Sequence, residues 1–262
     1  MSRVFFSNPL MSDVEADWSP IHDAAFNGRT LTLKRLIEQG ACVNLSTLDG
    51  ASPLHVACVG GHAACAKLLL QHGANVDCQS LDGSPIHVAA AKGKRFCIGH
   101  ASVCIVTVFH TGYLECIETL AQHCADVDLS LGRSGTPLHV ACINQQLNAV
   151  KKLLYLGADV NNCAPGESPL HVSVRTHNPE MVSVLLEYGA DTSLRNSDSK
   201  RPADLAHPGS DVEKLLTQNR GIPTLMQLCR LHIRTVLGKR RLCIVPHLQL
   251  PASLKNYLLW RS

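Results

Sequence analysis

Fourteen histidines and twelve cysteines in 262 residues are enough side chains to build a metal centre or an activated nucleophile. Either chemistry needs its ligands or its acid–base partners at particular spacings. The spacings are absent: no C-x-x-C, H-E-x-x-H, phosphate-binding glycine loop, Walker lysine or nucleophile elbow occurs in the chain. The sequence therefore predicts no catalytic residue, no metal site and no cofactor. Five of the histidines follow another rule. His22, His55, His87, His139 and His171 each stand two residues after a proline, in Ser19-Pro20-Ile21-His22, Ser52-Pro53-Leu54-His55, Ser84-Pro85-Ile86-His87, Thr136-Pro137-Leu138-His139 and Ser168-Pro169-Leu170-His171. A side chain repeated in that way reads as a hydrogen-bonding device of the backbone. Several cysteines also fall at equivalent sites (Cys58 with Cys142, Cys65 with Cys116) and read as small buried helix residues with free thiols.

The elements that must hold these residues follow from the same prolines. Pro20, Pro53, Pro85, Pro137, Pro169 and Pro202 are separated by 33, 32, 52, 32 and 33 residues. A period near 33 marks a stacked repeat array. Within residues 52–78, Ser52 is a good N-cap and Pro53 suits the first helical position. Gly60-Gly61 breaks the first helix, and a second runs from about His62 to His72 with Cys65, Leu68 and Leu69 on one face. Gly73 stops it, and a turn-rich loop leads to the next Ser84-Pro85. The third copy ends on Cys124-Ala125 where the others have Gly-Ala, which predicts a remodelled helix end. The copy at Arg201-Pro202 has lost the histidine and reads as a degenerate cap.

The 52-residue gap holds about 19 residues too many. Residues 93–111 read as an insert, either a splice or gene-model variant or an apolar contact surface, with Gly112-Tyr113-Leu114 resuming the repeat. Charge divides the chain as well. The net charge is +3, yet residues 221–262 carry seven Lys or Arg and no acid, leaving 17 basic against 21 acidic residues in 1–220. The tail is too rich in Leu and Ile, and too short of aromatics, to point to nucleic acid. No apolar run is long enough for a signal peptide or a membrane span, so the expected location is cytoplasmic, with nuclear access conceivable through Lys239-Arg240-Arg241. In the tail, Thr224 to Ile233 reads as an amphipathic helix with Leu225, Leu228, Cys229 and Ile233 on its apolar stripe.

The repeat grammar resembles the ankyrin repeat, matched nearly letter for letter by Leu69-Leu70-Gln71-His72-Gly73-Ala74-Asn75-Val76-Asp77. Residues 221–262 resemble a SOCS box, in Leu225-x-x-x-Cys229 and in Leu250-Pro251. The resemblance implies an all-α protein, an ankyrin-repeat solenoid of about five repeats plus a degenerate cap, followed by a small helical SOCS box. The expected boundaries are an N-terminal extension over 1–16, the array over 17–220 and the box over 221–262. The chain is similar to the ankyrin repeat and SOCS box proteins, which implies a non-catalytic substrate receptor of a ubiquitin ligase. Elongin C would then contact Leu225, Leu228, Cys229 and Ile233, with elongin B beside it. Cullin-5, with its RING subunit, would contact Leu250 and Pro251, although Ser253 stands where a second proline is expected. The loop tips and N-terminal edge, with Trp18, Leu48, Asp49, Leu81, Asp82 and Arg133, are the expected client-binding surface. Resemblance to one branch of the family implies creatine kinase as a candidate client. A scaffold or inhibitor that binds partners without ubiquitin transfer is the alternative.

Overall fold

The computed structural model describes residues 18–80, 83–91, 112–164 and 166–218, with Gln249 and Pro251 beyond them. Twelve α-helices in six antiparallel pairs make up the described array: α1 Pro20–Phe26 and α2 Thr30–Glu38, α3 Pro53–Gly60 and α4 Ala63–Gln71, α5 Pro85–Ala90 and α6 Gly112–Gln122, α7 Pro137–Ile143 and α8 Leu147–Tyr155, α9 Pro169–Arg175 and α10 Pro179–Glu187, α11 Pro202–Leu205 and α12 Asp211–Gln218. Among the described residues the only extended pairings are two isolated bridges, Ser80 with Gly83 and Leu131 with Gly135. No described helix is long and apolar enough to cross a membrane.

The prolines start every first helix for a local reason. The residue before each proline is forced into extended backbone, and Ser19, Ser52, Ser84, Thr136, Ser168 and Arg201 all sit near φ −83 to −91 and ψ 160 to 166. That conformation is the one an N-cap requires, and Pro supplies the first helical φ without losing a needed N–H.

Stacking follows from a two-sided apolar pattern. Each first helix packs on the next (α1 on α3, then α5, α7, α9 and α11), and each second helix on the next second helix. Leu54, Leu69, Ile86, Ile117, Leu138, Leu153, Leu170 and Leu185 are fully buried between layers. Burying each such side chain contributes about 1.5–3 kcal/mol. Ala24, Ala57, Ala89, Ala141 and Ser173 recur at one first-helix position, all buried. Small side chains there let neighbouring helices approach closely.

Two irregularities bear on what the sequence predicts. The pair α5 and α6 packs together across the insert position, so Gly112 does resume the repeat; the insert itself, 93–111, lies outside the described residues. Tyr113 fixes the re-entry point, donating its hydroxyl to the Val59 carbonyl at 2.7 Å. Its ring lies so close over Gly61 that a Cβ there would stand 2.5 Å from it. The helix end at Cys124, by contrast, is not remodelled. Cys124 takes φ 68, and Cys124 N–H to Ala121 O (3.1 Å) with Ala125 N–H to Leu120 O (3.0 Å) reproduces the bonds that Gly73 and Ala74 make to Leu70 and Leu69. The stack imposes the left-handed turn on a residue with a Cβ, and strain replaces the expected rearrangement.

Candidate protein-interaction surface

The five histidines build a continuous ladder along the base of the loops. In each, Nδ1 faces the N-cap hydroxyl of its own repeat: 2.7 Å in His22, 2.9 Å in His55, 2.7 Å in His87, 2.8 Å in His139 and 2.7 Å in His171. Each Nε2 reaches the carbonyl just ahead of the next repeat's N-cap: Ala51, Gly83, Gly135, Glu167 and Lys200, at 2.9–3.2 Å. A carbonyl only accepts, so Nε2 carries the proton. The backbone N–H groups of Ser52, Thr136 and Ser168 only donate, so Nδ1 accepts from them. Both ring nitrogens of the neutral imidazole are thus used. Burial lowers His55 from 6.5 to about 4, against the raising effect of the Gly83 carbonyl, and burial also lowers His87 and His139. These rings are structural, as the sequence predicts.

A second ladder holds the loops in register at their outer edge. The Asn75 N–H donates to Asn44 Oδ1 (2.8 Å), Asp159 N–H to Asp128 Oδ1 (2.9 Å) and Asp191 N–H to Asn161 Oδ1 (2.8 Å). Asn44 and Asn161 return a bond from Nδ2 to the carbonyls of Gly73 (3.0 Å) and Gly189 (3.2 Å). Loops tied together at base and edge form one rigid comb, which suits them to present side chains to a protein partner.

The expected client residues fall on this comb unevenly. Leu48 is 91% exposed at the first loop tip, next to exposed Asp49, on a turn closed by Gly50 N–H to Thr47 O at 2.9 Å. Trp18 is half-buried and packs on His22 (ring centroids 5.5 Å apart) and edge-on to Phe26 (6.0 Å), so part of its surface serves the first repeat. The backbone of Arg133 lies in a short 3-10 turn, Gly132–Ser134. Leu81 and Asp82 lie outside the described residues, as do Leu225, Leu228, Cys229, Ile233 and Leu250. Pro251 is described and exposed.

Two surface residues were missed in the sequence. Ile143, 43% exposed at the end of α7, is not singled out by the sequence reading. Arg175 occupies the same position on α9, six residues after the proline, and forms an ion pair with Glu167 (Nη2 to Oε2, 3.1 Å). That a charge occupies Ile143's position in the next repeat was the available sign that the position faces outward.

Among the described residues the cysteines form no reactive or metal-binding site. Cys58, Cys65, Cys116 and Cys142 are buried and free. A hydrogen bond to Cys116, together with burial, holds the Cys58 thiol well above its ordinary range, and burial pushes Cys142 up to about 12. Thiols of that kind are poor nucleophiles and poor ligands. Among the described residues no three His, Cys, Asp or Glu gather as a metal site.

Comparison with known proteins agrees with this architecture. A family model described as ankyrin repeats (3 copies) matches residues 21–100 and 104–200, and the SOCS box model matches 221–259. Mouse ankyrin repeat and SOCS box protein 9 is 46% identical, covering 97% of this chain and 93% of that protein. Mouse ankyrin repeat and SOCS box protein 5 is 44% identical, covering 94% and 79%. Among solved structures, the ankyrin repeat domain of Bcl-3 superposes with a TM-score of 0.64 at 25% identity, covering 77% of this chain and 82% of that one. With paired helices stacked on a shared histidine ladder and a SOCS box after them, the chain belongs to the ankyrin repeat and SOCS box protein family.

Proposed function

We propose that this chain is the non-catalytic substrate receptor of a SOCS-box ubiquitin ligase, holding a client protein on the comb of loops while residues 221–262 recruit the ligase. One observation carries the reading: a rigid, loop-bearing ankyrin array is followed in the same chain by a SOCS box match over 221–259. The mechanism is proximity, since a client held beside the ubiquitin carrier presents its lysines at raised effective concentration. Elongin C contacts Leu225, Leu228, Cys229 and Ile233, with elongin B bound alongside, and cullin-5 with its RING subunit contacts Leu250 and Pro251. The client surface includes Trp18, Leu48, Asp49, Leu81, Asp82 and Arg133, and creatine kinase is the first client to test. The expected setting is the cytoplasm.

The direct test is recovery of purified elongins B and C by the full chain and by the Leu225→Ala/Cys229→Ala variant. Intact chain recovers the pair and the variant loses at least roughly tenfold, as removal of a buried anchor residue predicts. Equal recovery overturns the reading. Normal elongin recovery without cullin-5 favours the scaffold or inhibitor alternative, because Ser253 replaces the expected second proline.

A further inference from the structure

Between the fourth and fifth repeats the surface dips into a concavity of about 200 Å³, bordered by Ser134, Ile143, Glu167, Val172, Arg175 and Ser197. Small-molecule sites usually enclose about 300–1,000 Å³, so this dent is scaled to a single amino-acid side chain. One aliphatic exposed on a surface is ordinary. Ile143, however, borders a depression that Val172, itself 3% exposed, also lines. At the rim the hydrogen-bonding positions of the two charged groups are unequally filled. Glu167 is engaged at both oxygens: Oε1 accepts from Arg175 Nη1 at 3.3 Å and from Asn196 Nδ2 at 3.4 Å, and Oε2 pairs with Arg175 Nη2 at 3.1 Å. A guanidinium carries five N–H donors. Among the described residues this ion pair takes only one from each Nη and leaves the rest of the fork open, on a side chain 59% exposed.

We propose that this dent is the anchor site for the client, seating one aliphatic or aromatic side chain against Ile143 and Val172 while a neighbouring client carboxylate bonds the open donors of Arg175. The occupant is thus a protein segment pairing an apolar residue with Asp or Glu. Donor capacity decides its sign, since Glu167 already accepts three contacts whereas Arg175, though paired with it, keeps three of its five N–H donors for a second carboxylate. Partly filled donors on a positioned guanidinium are the usual means of gripping a carboxylate. This inference rests on the receptor reading above and specifies the chemistry of its client.

The test is selection of a displayed random dodecapeptide library on the full chain. Enrichment of sequences with Leu, Ile or Phe next to Glu or Asp is expected. Ile143→Asp and Arg175→Glu each reduce that enrichment by roughly tenfold or more, as loss of a charge-assisted contact predicts. Arg175→Glu additionally shifts selection toward Lys and Arg beside the apolar residue, whereas Lys34→Glu on α2 leaves it unchanged. Thermal melting of each variant separates misfolding from lost binding. No enrichment, a motif without the acidic partner, or the same motif on Arg175→Glu overturns the proposal. Elongin recovery is scored separately, so the receptor reading can stand while the anchor site falls, or the reverse.

Discussion

At Cys124 two residue-scale terms oppose each other. A side chain at φ 68 costs about 1–2 kcal/mol, while glycine's extra freedom in the unfolded chain costs roughly 0.5–1 kcal/mol. The first wins. Cys124→Gly should stabilise the array by roughly 0.5–1 kcal/mol, read as a higher midpoint in urea at unchanged slope. The histidines are set the other way, against acid. Folding holds His55 neutral with its value lowered from 6.5 to about 4, so below pH 6.5 the unfolded chain takes up the proton first. The stability His55 contributes is fully present above pH 6.5 and is lost progressively down to about pH 4. That lowering amounts to roughly 3 kcal/mol, and His87 and His139 act in the same direction. Urea unfolding followed from pH 7.5 to 4.5 should show this decline, and a flat profile would contradict the neutral ladder.

Individual helices were the most legible part of the sequence. Pro, its preceding Ser or Thr, and the closing Gly gave the starts and ends of the helices because those signals act within a few residues. The histidine's hydrogen-bonding role was legible too, through its repetition. What failed was the end at Cys124, where local preference opposed packing from both neighbouring repeats and packing prevailed. Ile143 was not singled out for a related reason, since exposure in a stack depends on the neighbouring repeats as well as on the local pattern. The role of Tyr113, reaching 54 residues back to Val59, carried no local signal at all. Because α5 and α6 pack together regardless of what joins them, deleting 93–111 should leave the array folded. Shortening that connection lowers the closure entropy by roughly 2 kcal/mol, so the deletion variant should unfold at higher denaturant. Loss of cooperative unfolding in the deletion variant would show that the insert is part of the fold.

Across the whole molecule, stability is shared between neighbouring layers, and the buried thiols report on it. Cys58, Cys65, Cys116 and Cys142 should resist alkylation in native buffer while exposed Cys42 and Cys124 react quickly, as residue-resolved mass spectrometry would show. Rapid native labelling of Cys116 would mean that the third layer opens independently of the rest. The histidine ladder has a further consequence at this scale. Every imidazole donates toward the following repeat and none donates backward, so the stack has a head and a tail, as a polymer with directional links does. Asp204 is the terminator: its carboxylate accepts the Arg201 N–H at 2.8 Å, as a histidine's Nδ1 would, but carries no proton to pass onward. Duplication or loss of a unit anywhere upstream of Pro202 rejoins donor to acceptor, whereas a copy added after it would dock against a blank face. An array wired in this way changes length only from within, and the loops can be rearranged over evolutionary time without disturbing the SOCS box that follows.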